Sequence, residues 1–461
     1  MELVAGVDSS TQSVKIVIRE AKSGALVREG RAAHPDGTEV DPAHWWNALQ
    51  EAISQAGGLA DVSAISIGGQ QHGMIALDSA GEVIRPALLW NDTRSAKEAS
   101  DLNSEIPDIA KLTGSSLVAS FTASKVRWLA DHESENAEKV AAISLPHDWL
   151  SWKLSGSTDI KDLFTDRSDA SGTGYFNPVT SEYLPEVFAI ALRSKRQVLL
   201  PRIISSQEFG ATTKTGMKIG AGAGDNAGAG FGIQAEEGDV VVSLGTSGTA
   251  FAISSTSTHD SSGTIAGFAS ASGEFLPLVC TLNAARILDA AAKILGVTHE
   301  RLGELALSSP AGADGLTLLP YFEGERTPNR PDATGVLAGI TVGNSRPENI
   351  ARAYIEGMLC GLADAVEALE IAGVAIRRVF LIGGAAKNPA VAQIASALFG
   401  REVLVPPAGE YVANGAARQA AWALLGGEHA PKWNLGEVVS VRSTPTPEVL
   451  VNYRKLRDLT S

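Results

Sequence analysis

Two aspartates stand among small residues at places where a carboxylate could do chemistry. Asp8 ends an apolar run and precedes the small polar residues 9–11, and Asp225 lies inside the glycine-rich stretch 220–230. A carboxylate at the first place could hold a metal-bound water beside a phosphate, with Lys15 adding a positive charge. A carboxylate at the second could accept the proton of an attacking hydroxyl, since flanking glycines let a substrate approach the backbone. A plain hairpin turn and a Gly-Asp-Asn turn stay open as structural alternatives.

The segment around Asp8 recurs in the second half of the chain. Residues 4–18 run from apolar to small polar to apolar, and residues 240–251 repeat this order, with Thr11 and Thr246 in register. A hairpin of Gly, Ser and Thr presents backbone N–H groups and hydroxyls without bulk, which suits a phosphate chain. Two such hairpins predict one nucleotide held by two similar lobes. The copies are unequal, because a serine at position 243 stands in register with Asp8.

The chain lacks the two most common phosphate-binding motifs. No Gly-Lys-Ser or Gly-Lys-Thr occurs anywhere in it. The glycine-rich stretch also fails the dinucleotide pattern, because Asp225 stands where the spacing from Gly220 and Gly222 requires a third glycine. The two hairpins therefore remain the candidates for phosphate binding.

Three further clusters have side chains suited to a ligand. Residues 70–74 (Gln-Gln-His-Gly-Met) and 90–94 (Trp-Asn-Asp-Thr-Arg) combine amides, a carboxylate and an aromatic ring, as a pocket for a polyhydroxylated ligand would. In residues 383–388, two glycines leave room for a flat base or a ribose, and Asn388 is placed to cap the next helix. A capped strand-to-helix turn without any ligand is the structural alternative for that last cluster.

Alternating strand and helix patterns predict an α/β architecture for the elements that position these residues. Asp41 and the proline after it begin a helix, and the apolar stripe over 346–372 predicts a long one. Residues 379–382 are expected to form a buried strand, followed by a helix over about 388–400. The Ser- and Thr-rich segment 254–263 is expected to be a loop.

A chain of 461 residues is long enough for two domains. The stretch 220–230 is expected to break the regular structure near the midpoint, so we place the boundary at about residue 233, between lobes 1–233 and 234–461. The tail 444–461 could pack on either lobe, and the sequence does not decide between them.

The composition excludes several classes of protein. Thirty-eight basic against 52 acidic residues give a net charge of −14, which argues against a nucleic-acid partner. No run approaches the roughly 18 apolar residues of a membrane span. Cys280 and Cys360 lie far apart in apolar stretches, as buried free thiols do in a reducing compartment. We expect a globular cytoplasmic protein, and a homodimer stays open.

Several stretches together resemble the FGGY family of carbohydrate kinases over essentially the whole chain. Residues 120–132 fit the first signature of the family, and residues 335–340 with 349–356 are similar to the second, except for a tyrosine at position 354. Four shorter stretches resemble the members that phosphorylate D-xylulose, and these are residues 70–74, 89–94, 224–226 and 324–328.

The resemblance implies two ribonuclease-H-like lobes of the actin and Hsp70 type, with an interdomain cleft for ATP and a sugar. It implies ATP-dependent phosphorylation of D-xylulose to D-xylulose 5-phosphate, with Asp225 as the catalytic base and Asp8 at the Mg²⁺-phosphate end. The first hairpin departs from the family pattern at Ser10, where a glycine is usual. The implied sugar contacts are Gln71, His72, Asn91, Asp92 and Asp225, and the expected nucleotide contacts are Thr11, Lys15, Thr246, Gly384 and Asn388.

Three other functions stay open at this stage. A kinase for another sugar or polyol, such as ribulose, gluconate or an alditol, would differ from this one at few positions. An ATPase switch of the actin or Hsp70 type would use the same lobes, but it needs no polar clusters like 70–74 and 90–94. A non-catalytic sugar sensor would not need both Asp8 and Asp225.

Overall fold

The computed structural model describes residues 2–460, in which strands and helices alternate as the sequence predicts. The strands are β1 (Leu3–Ser9), β2 (Ser13–Glu20), β3 (Leu26–Ala33), β4 (Glu39–Val40), β5 (Val62–Gly69), β6 (Ile75–Leu77), β7 (Ala87–Leu88), β8 (Ala142–Ser144), β9 (Phe164–Asp166), β10 (Phe176–Asn177), β11 (Glu182–Tyr183), β12 (Arg202–Ile204), β13 (Phe209–Thr212), β14 (Lys218–Gly220), β15 (Ala223–Gly224), β16 (Asp239–Leu244), β17 (Gly248–Ala252), β18 (Ala266–Ala269), β19 (Phe275–Thr281), β20 (Thr317–Leu319), β21 (Val336–Ala338), β22 (Arg378–Ile382), β23 (Val403–Val405) and β24 (Val439–Val441). The helices are α1 (Pro42–Gln55), α2 (Ala96–Glu105), α3 (Ile109–Thr113), α4 (Thr122–His132), α5 (Ser134–Lys139), α6 (Pro146–Ser155), α7 (Arg167–Ala170), α8 (Pro185–Leu192), α9 (Asp225–Gly232), α10 (Ala285–Leu295), α11 (His299–Ser308), α12 (Pro347–Ile371), α13 (Pro389–Phe399), α14 (Tyr411–Leu425) and α15 (Pro447–Leu459).

The described residues fall into two compact units, each built from three segments. The first unit comprises 2–235, Ser255–Leu276 and Gly409–Asn434. The second comprises Glu236–Ser254, Pro277–Ala408 and 435–460, so the tail that the sequence left unplaced belongs to the second unit. The lobes 1–233 and 234–461 stay a prediction, and their first and last residues lie outside the described range. The compact units differ from those lobes because two later segments join the first unit.

Both units contain the same mixed sheet. Six strands of the first sheet follow the order β3-β2-β1-β5-β14-β13, and six strands of the second follow the order β19-β17-β16-β22-β23-β24. In each order the first three strands are antiparallel to their neighbours, the third to fifth are parallel, and the sixth is antiparallel to the fifth. The predicted pair of similar α/β units, each beginning with a hairpin, is confirmed.

The two hairpins differ in their turns. In the first, the innermost strand pair is Ser9 with Val14, so four residues lie between them. In the second, the innermost pair is Leu244 with Gly248, so three residues lie between them. A serine in the first turn therefore leaves the hairpin intact, but the two turns do not have the same backbone geometry.

The glycine-rich stretch near the midpoint is not the break that the sequence suggested. Residues 225–232 form the helix α9, and its glycines admit the backbone of α14 rather than a substrate. A Cβ on Gly232 would lie 2.0 Å from the carbonyl oxygen of Tyr411, and a Cβ on Gly415 would lie 1.9 Å from that of Gly228. Only glycine allows two helices to approach this closely.

Other predicted elements are confirmed at nearly the expected bounds. The Asp41 side chain accepts a hydrogen bond from Ala43 N at 2.9 Å and caps α1. The long helix expected over 346–372 is α12, and the one expected from 388 is α13, which begins after the cap Asn388. Most of residues 254–263 form irregular structure, as expected for a loop. Among residues 2–460, no helix is both long and apolar enough to cross a bilayer.

Candidate active site

The carboxyl ends of three parallel strands meet at one edge of the first unit's sheet. β5 lies between β1 and β15, and Gly68 on β5 is opposite both Asp8 and Ala223. Two inter-strand spacings, about 10 Å, therefore separate the backbones of β1 and β15. Asp8, Gln71 and Asp225 all come from these strand ends, at the edge where open α/β sheets bind ligands. The fold thus brings together three side chains that are distant in the sequence.

Asp225 begins helix α9, directly after β15, and its side chain is partly exposed. Its Oδ1 accepts hydrogen bonds from the backbone N of Asn226 at 2.7 Å and from the Asn226 amide at 2.9 Å. Both donors reach Oδ1, so Oδ2 is the better placed oxygen for taking a proton. Burial raises the pKa of Asp225 to about 7, and the negative charge of Asp8 adds to this effect. A carboxylate with this pKa is suited to general base catalysis near neutral pH.

Asp8 is buried, and the lysine beside it also pairs with a carboxylate from the second half of the chain. Asp8 accepts a hydrogen bond from the Ser10 hydroxyl, and its Oδ2 lies 3.4 Å from Lys15 Nζ. Lys15 Nζ is also 2.7 Å from a carboxylate oxygen of Glu410, which precedes α14. Burial raises the pKa of Asp8, although Lys15 opposes the shift. Glu410 was missed in the sequence, because only the return of the chain to the first unit brings it near the first hairpin.

Gln71 and His72 lie beside Asp225. Gln71 Nε2 donates to the carbonyl oxygen of Ser168 at 3.3 Å, and a Cβ on Gly224 would lie 2.6 Å from that same nitrogen. His72 has a φ of 70°, and its ring packs at tilted angles against Phe121 and Phe268, at centroid distances of 4.9 and 5.4 Å. The close contact between Gln71 and Gly224 places this amide next to the residue that precedes Asp225.

The cluster at 90–94 divides into satisfied and unsatisfied polar groups. Asp92 accepts hydrogen bonds from Thr38 Oγ1 at 2.8 Å and from the backbone N and Nε of Arg94 at 3.0 and 2.8 Å. Asn91 Oδ1, in contrast, is buried and accepts no hydrogen bond among residues 2–460. Trp90 Nε1 donates to Thr11 Oγ1 at 2.8 Å, which joins this cluster to the first hairpin. Asn91 is therefore better placed than Asp92 to receive a ligand.

Gln70 is a candidate that the sequence analysis did not single out. Its side chain is 1% exposed, and neither its amide nitrogen nor its amide oxygen has a hydrogen-bond partner among residues 2–460. Its backbone N donates to the carbonyl oxygen of Ser9 at 3.1 Å, so it lies at the same sheet edge as Asp8. Leaving a buried amide unsatisfied costs about 1–3 kcal/mol per group, which marks Gln70 as a ligand-binding candidate. The two consecutive glutamines at positions 70 and 71 were the feature of the sequence that could have indicated Gln70 as a ligand-binding residue.

The second unit carries the other predicted nucleotide contacts. Thr246 is exposed in the turn between β16 and β17, and Gly384 follows β22, the parallel neighbour of β16. No atom of the described residues lies within 4 Å of a Cβ built on Gly384, whereas a Cβ on Gly383 would lie 2.5 Å from the carbonyl oxygen of Leu244. Of the two glycines, only Gly384 leaves open space for a ligand.

Asn388, the last of these predicted contacts, has a structural role. Its Oδ1 accepts a hydrogen bond from Ala390 N at 3.0 Å, which caps α13 as predicted. Its Nδ2 donates to the carbonyl oxygen of His299 at 2.7 Å, which ties the start of α11 to the start of α13. Both ends of the amide therefore already bind protein groups.

Comparisons with known proteins agree with this architecture. The N-terminal domain model of the FGGY family of carbohydrate kinases matches residues 3–232, and the C-terminal domain model matches residues 240–424. Xylulose kinase of Streptomyces coelicolor is 42% identical over 453 residues, which cover 94% of this chain and 91% of the relative. Xylulose kinase of Streptomyces rubiginosus is 41% identical and covers 93% and 89%. A crystal structure of xylulose kinase from Bifidobacterium adolescentis superposes with a TM-score of 0.91 at 44% identity, covering 99% of both chains. The chain belongs to the FGGY family of carbohydrate kinases.

Proposed function

We propose that the protein transfers the γ-phosphoryl group of ATP to the terminal hydroxyl of D-xylulose, giving D-xylulose 5-phosphate and ADP. The observation that carries this proposal is Asp225, a carboxylate with a pKa of about 7 at the same sheet edge as Gln71 and the Asp8 hairpin. The choice of D-xylulose is supported by relatives named xylulose kinase that are 41–44% identical to nearly the whole chain.

In the proposed reaction Asp225 accepts the proton of the terminal hydroxyl as the hydroxyl oxygen attacks the γ-phosphorus. The new oxygen–phosphorus bond forms while the bond to the β-phosphate oxygen breaks, so the proton stays on Asp225 and ADP leaves. Gln71, His72 and Asn91 orient the other sugar hydroxyls, with Asp92 nearby. The carbonyl oxygen of Gly172 lies 2.7 Å from His72 Nδ1, which places a proton on that nitrogen.

The first hairpin fits the Mg²⁺-phosphate end of the reaction. Mg²⁺ prefers carboxylate oxygens together with water and substrate phosphates, and Asp8 offers such a carboxylate at the end of β1. Bound there, Mg²⁺ would neutralise charge on the transferring group. Lys15 holds Asp8 in place through their contact of 3.4 Å. The proposed nucleotide contacts remain Thr11, Lys15, Thr246 and Gly384. The amide of Asn388 already binds two protein groups, so this residue is proposed to serve the nucleotide site as the cap of α13, four residues after Gly384.

The domain roles and the compartment complete the proposal. The two family models match on either side of residue 233, which supports a sugar-binding domain over 1–233 and a nucleotide-binding domain over 234–461. Cys280 and Cys360 are both buried, and neither forms a disulfide among residues 2–460, as expected for a cytoplasmic protein.

A coupled ADP-release assay over ketopentoses, ketohexoses, gluconate, glycerol and pentitols tests the substrate. We expect the highest kcat/KM with D-xylulose, and ATP turnover that depends on added sugar. Ribulose, gluconate or an alditol as the best substrate would contradict the choice of D-xylulose and leave the kinase class intact. ATP turnover that ignores every sugar would contradict both.

The dependence of kcat/KM on pH tests Asp225 as the base. Only the ionised carboxylate accepts a proton, so kcat/KM is expected to fall about tenfold per pH unit below the pKa of about 7. The same profile should be flat in an Asp225→Asn variant, whose residual rate has no base to protonate. A wild-type profile that stays flat down to pH 5 would rule out this role.

A further inference from the structure

A fully buried histidine lies among three carboxylates beneath the candidate active site. Nδ1 of His147, on α6, is 3.2 Å from Asp148 Oδ1. Nε2 of the same ring is 3.3 Å from Asp166 Oδ1 and 3.3 Å from Asp169 Oδ2. All four residues are at most 1% exposed. The proposed reaction uses none of them.

The geometry around this ring favours a charged imidazole. Nε2 hydrogen-bonds to Asp166 Oδ1 at 3.3 Å, and Nδ1 lies at an ion-pair distance of 3.2 Å from Asp148 Oδ1 without hydrogen-bond geometry. A neutral imidazole would turn the lone pair of one nitrogen toward a carboxylate. Burial lowers the pKa of His147, but the carboxylates of Asp148, Asp169 and Asp166 outweigh it and raise the pKa to about 10. A buried carboxylate without such a partner is strongly destabilising.

The charge of the ring acts on the carboxylates that face it. Burial raises the pKa of Asp148 to about 6 and that of Asp169 well above its usual value, and the positive charge of His147 opposes both shifts. Tyr175 and Tyr183 lie near these carboxylates, and burial raises the pKa of both phenols, so both stay neutral. His147 is thus the cation that offsets the carboxylates of this cluster.

The carboxylates connect His147 to the residues beside Asp225. Asp166 caps the short helix α7, since its Oδ2 accepts from Ser168 N at 2.7 Å and its Oδ1 from Asp169 N at 3.0 Å. Ser168 Oγ in turn accepts from Gly224 N at 3.1 Å. The carbonyl oxygen of Ser168 accepts from Gln71 Nε2 at 3.3 Å.

His147 also packs against the end of β5 and the residue before β15. A Cβ on Gly222 would lie 3.0 Å from His147 Nδ1, and a Cβ on Gly69 would lie 3.1 Å from His147 Cβ. Gly69 ends β5, which leads into Gln71, and Gly222 precedes β15, which leads into Asp225. His147 therefore touches both strand ends directly and also reaches them through α7.

We propose that His147 is a positioning residue for phosphoryl transfer, a buried imidazolium that holds α7 and the ends of β5 and β15 so that Gln71 and Asp225 keep their alignment. The inference rests on the proposed function for the identity of the reaction, but not for the charge of the ring. Loss of the charge would weaken the contacts that hold Ser168 in place. Because Ser168 binds both the Gln71 amide and the backbone of Gly224, the positions of Gln71 and Asp225 would then become less well defined.

Paired substitutions separate charge from packing. His147→Gln removes the charge and keeps a hydrogen-bonding side chain, and a misplacement near 1 Å costs on the order of 10²-fold in rate, so we expect about that loss in kcat/KM for the sugar. His147→Lys returns a cation and should recover most of the loss, with the KM for ATP unchanged in both variants. Leu150→Ala is the matched control, since this fully buried leucine lies on the same helix. It should lower thermal stability and leave the sugar KM unchanged.

A measurement on the wild-type protein decides the charge even if His147→Gln does not fold. The chain has eight histidines, so ¹⁵N labelling of histidine gives few ring signals, and the His147→Lys variant identifies the one that disappears. We expect this signal to show two protonated ring nitrogens at pH 8, where an ordinary imidazole is neutral. A neutral ring at pH 8, equal impairment of the Gln and Lys variants, or a stoichiometric divalent metal that wild type retains and His147→Lys loses would each overturn the proposal. The NMR measurement contains no sugar. A failure of the proposed D-xylulose specificity can therefore be distinguished from a failure of the proposal for His147.

Discussion

Asp225→Ala is expected to abolish sugar phosphorylation while ATP still binds. The variant removes the only group proposed to take the proton of the attacking hydroxyl, and a general base contributes about 10²–10⁴-fold to a rate. The kcat of the coupled assay should fall by about that factor. Calorimetric titration with ATP should give an unchanged Kd, because the proposed nucleotide contacts are other residues. Turnover near the wild-type rate would show that another group is the base.

Asp225→Asn tests whether a loss of activity could come from unfolding instead of from loss of the base. This variant also removes the base, but it is expected to make the folded protein more stable at high pH and not less. Folding raises the pKa of Asp225 from 3.8 to about 7, so the ionised carboxylate destabilises the folded state increasingly between these pH values and fully above them. Three pKa units correspond to about 4 kcal/mol, an upper bound because solvent reaches the side chain. Asp225→Asn should therefore melt above wild type at pH 8 and level with it near pH 4.

Asp61→Ala is the matched acidic control for these two variants. Asp61 precedes β5, at the opposite end of the strand from Gln71, and pairs with Arg28 on the surface. Exposed pairs of this kind contribute about 0–1 kcal/mol, so kcat and stability should both stay close to wild type. If Asp61→Ala lost as much kcat as Asp225→Ala, the loss in Asp225→Ala would have to be attributed to the change in net charge and not to removal of the base.

Gly415→Ala is expected to cause the largest loss of stability. A Cβ there would lie 1.9 Å from the carbonyl oxygen of Gly228 and 2.9 Å from Gly232 N, both of them backbone atoms that cannot rotate away. Separating α14 from α9 should cost about 3 kcal/mol, at the upper end of overpacking effects. The melting temperature should then fall by about 6–12 °C, measured by calorimetry or circular dichroism. The kcat should fall as well, because α9 begins at Asp225.

Gly361→Ala, on another helix, is expected to raise the stability of the protein instead of lowering it. Gly361 lies inside α12, and a Cβ there would meet only the Tyr453 hydroxyl oxygen at 3.6 Å, an ordinary contact. Replacing a helical glycine by alanine without a clash stabilises a protein by about 0.5–1 kcal/mol. Equal melting temperatures for the two variants would contradict the close approach of α14 to α9.

Local patterns in the sequence were enough to predict much of the fold. Three features could be identified from short stretches of sequence, because the residues that define them lie close together along the chain. They are the helix cap at Asp41, the apolar stripe of α12 and the two hairpins. Asp225 could also be singled out, because its neighbours are small. Its raised pKa could not, since that depends on burial and on Asp8, more than two hundred residues away.

The remaining features depend on contacts between distant segments. The glycines of α9 were interpreted as a break because the sequence does not show that α14 packs on them. Glu410 contacts Lys15, and Ser168 contacts both Gln71 and Gly224, only after the chain has returned to the same sheet edge. The two side chains of Asn91 and Asp92 looked equivalent until the structure showed that Thr38 and Arg94 satisfy only the aspartate.

The return of residues Gly409–Asn434 to the first unit also constrains how the protein can be made. Helix α14 covers β1 and β5, where Ala413 and Ala417 pack with Val4 and Ala64 in one apolar cluster. During synthesis on the ribosome, β1 emerges more than 400 residues before this helix, so an early half of the chain would present an uncovered apolar face. Domains usually fold as they emerge, N-terminal first. Here the apolar face of β1 and β5 that α14 covers stays incomplete until most of the second unit has been translated.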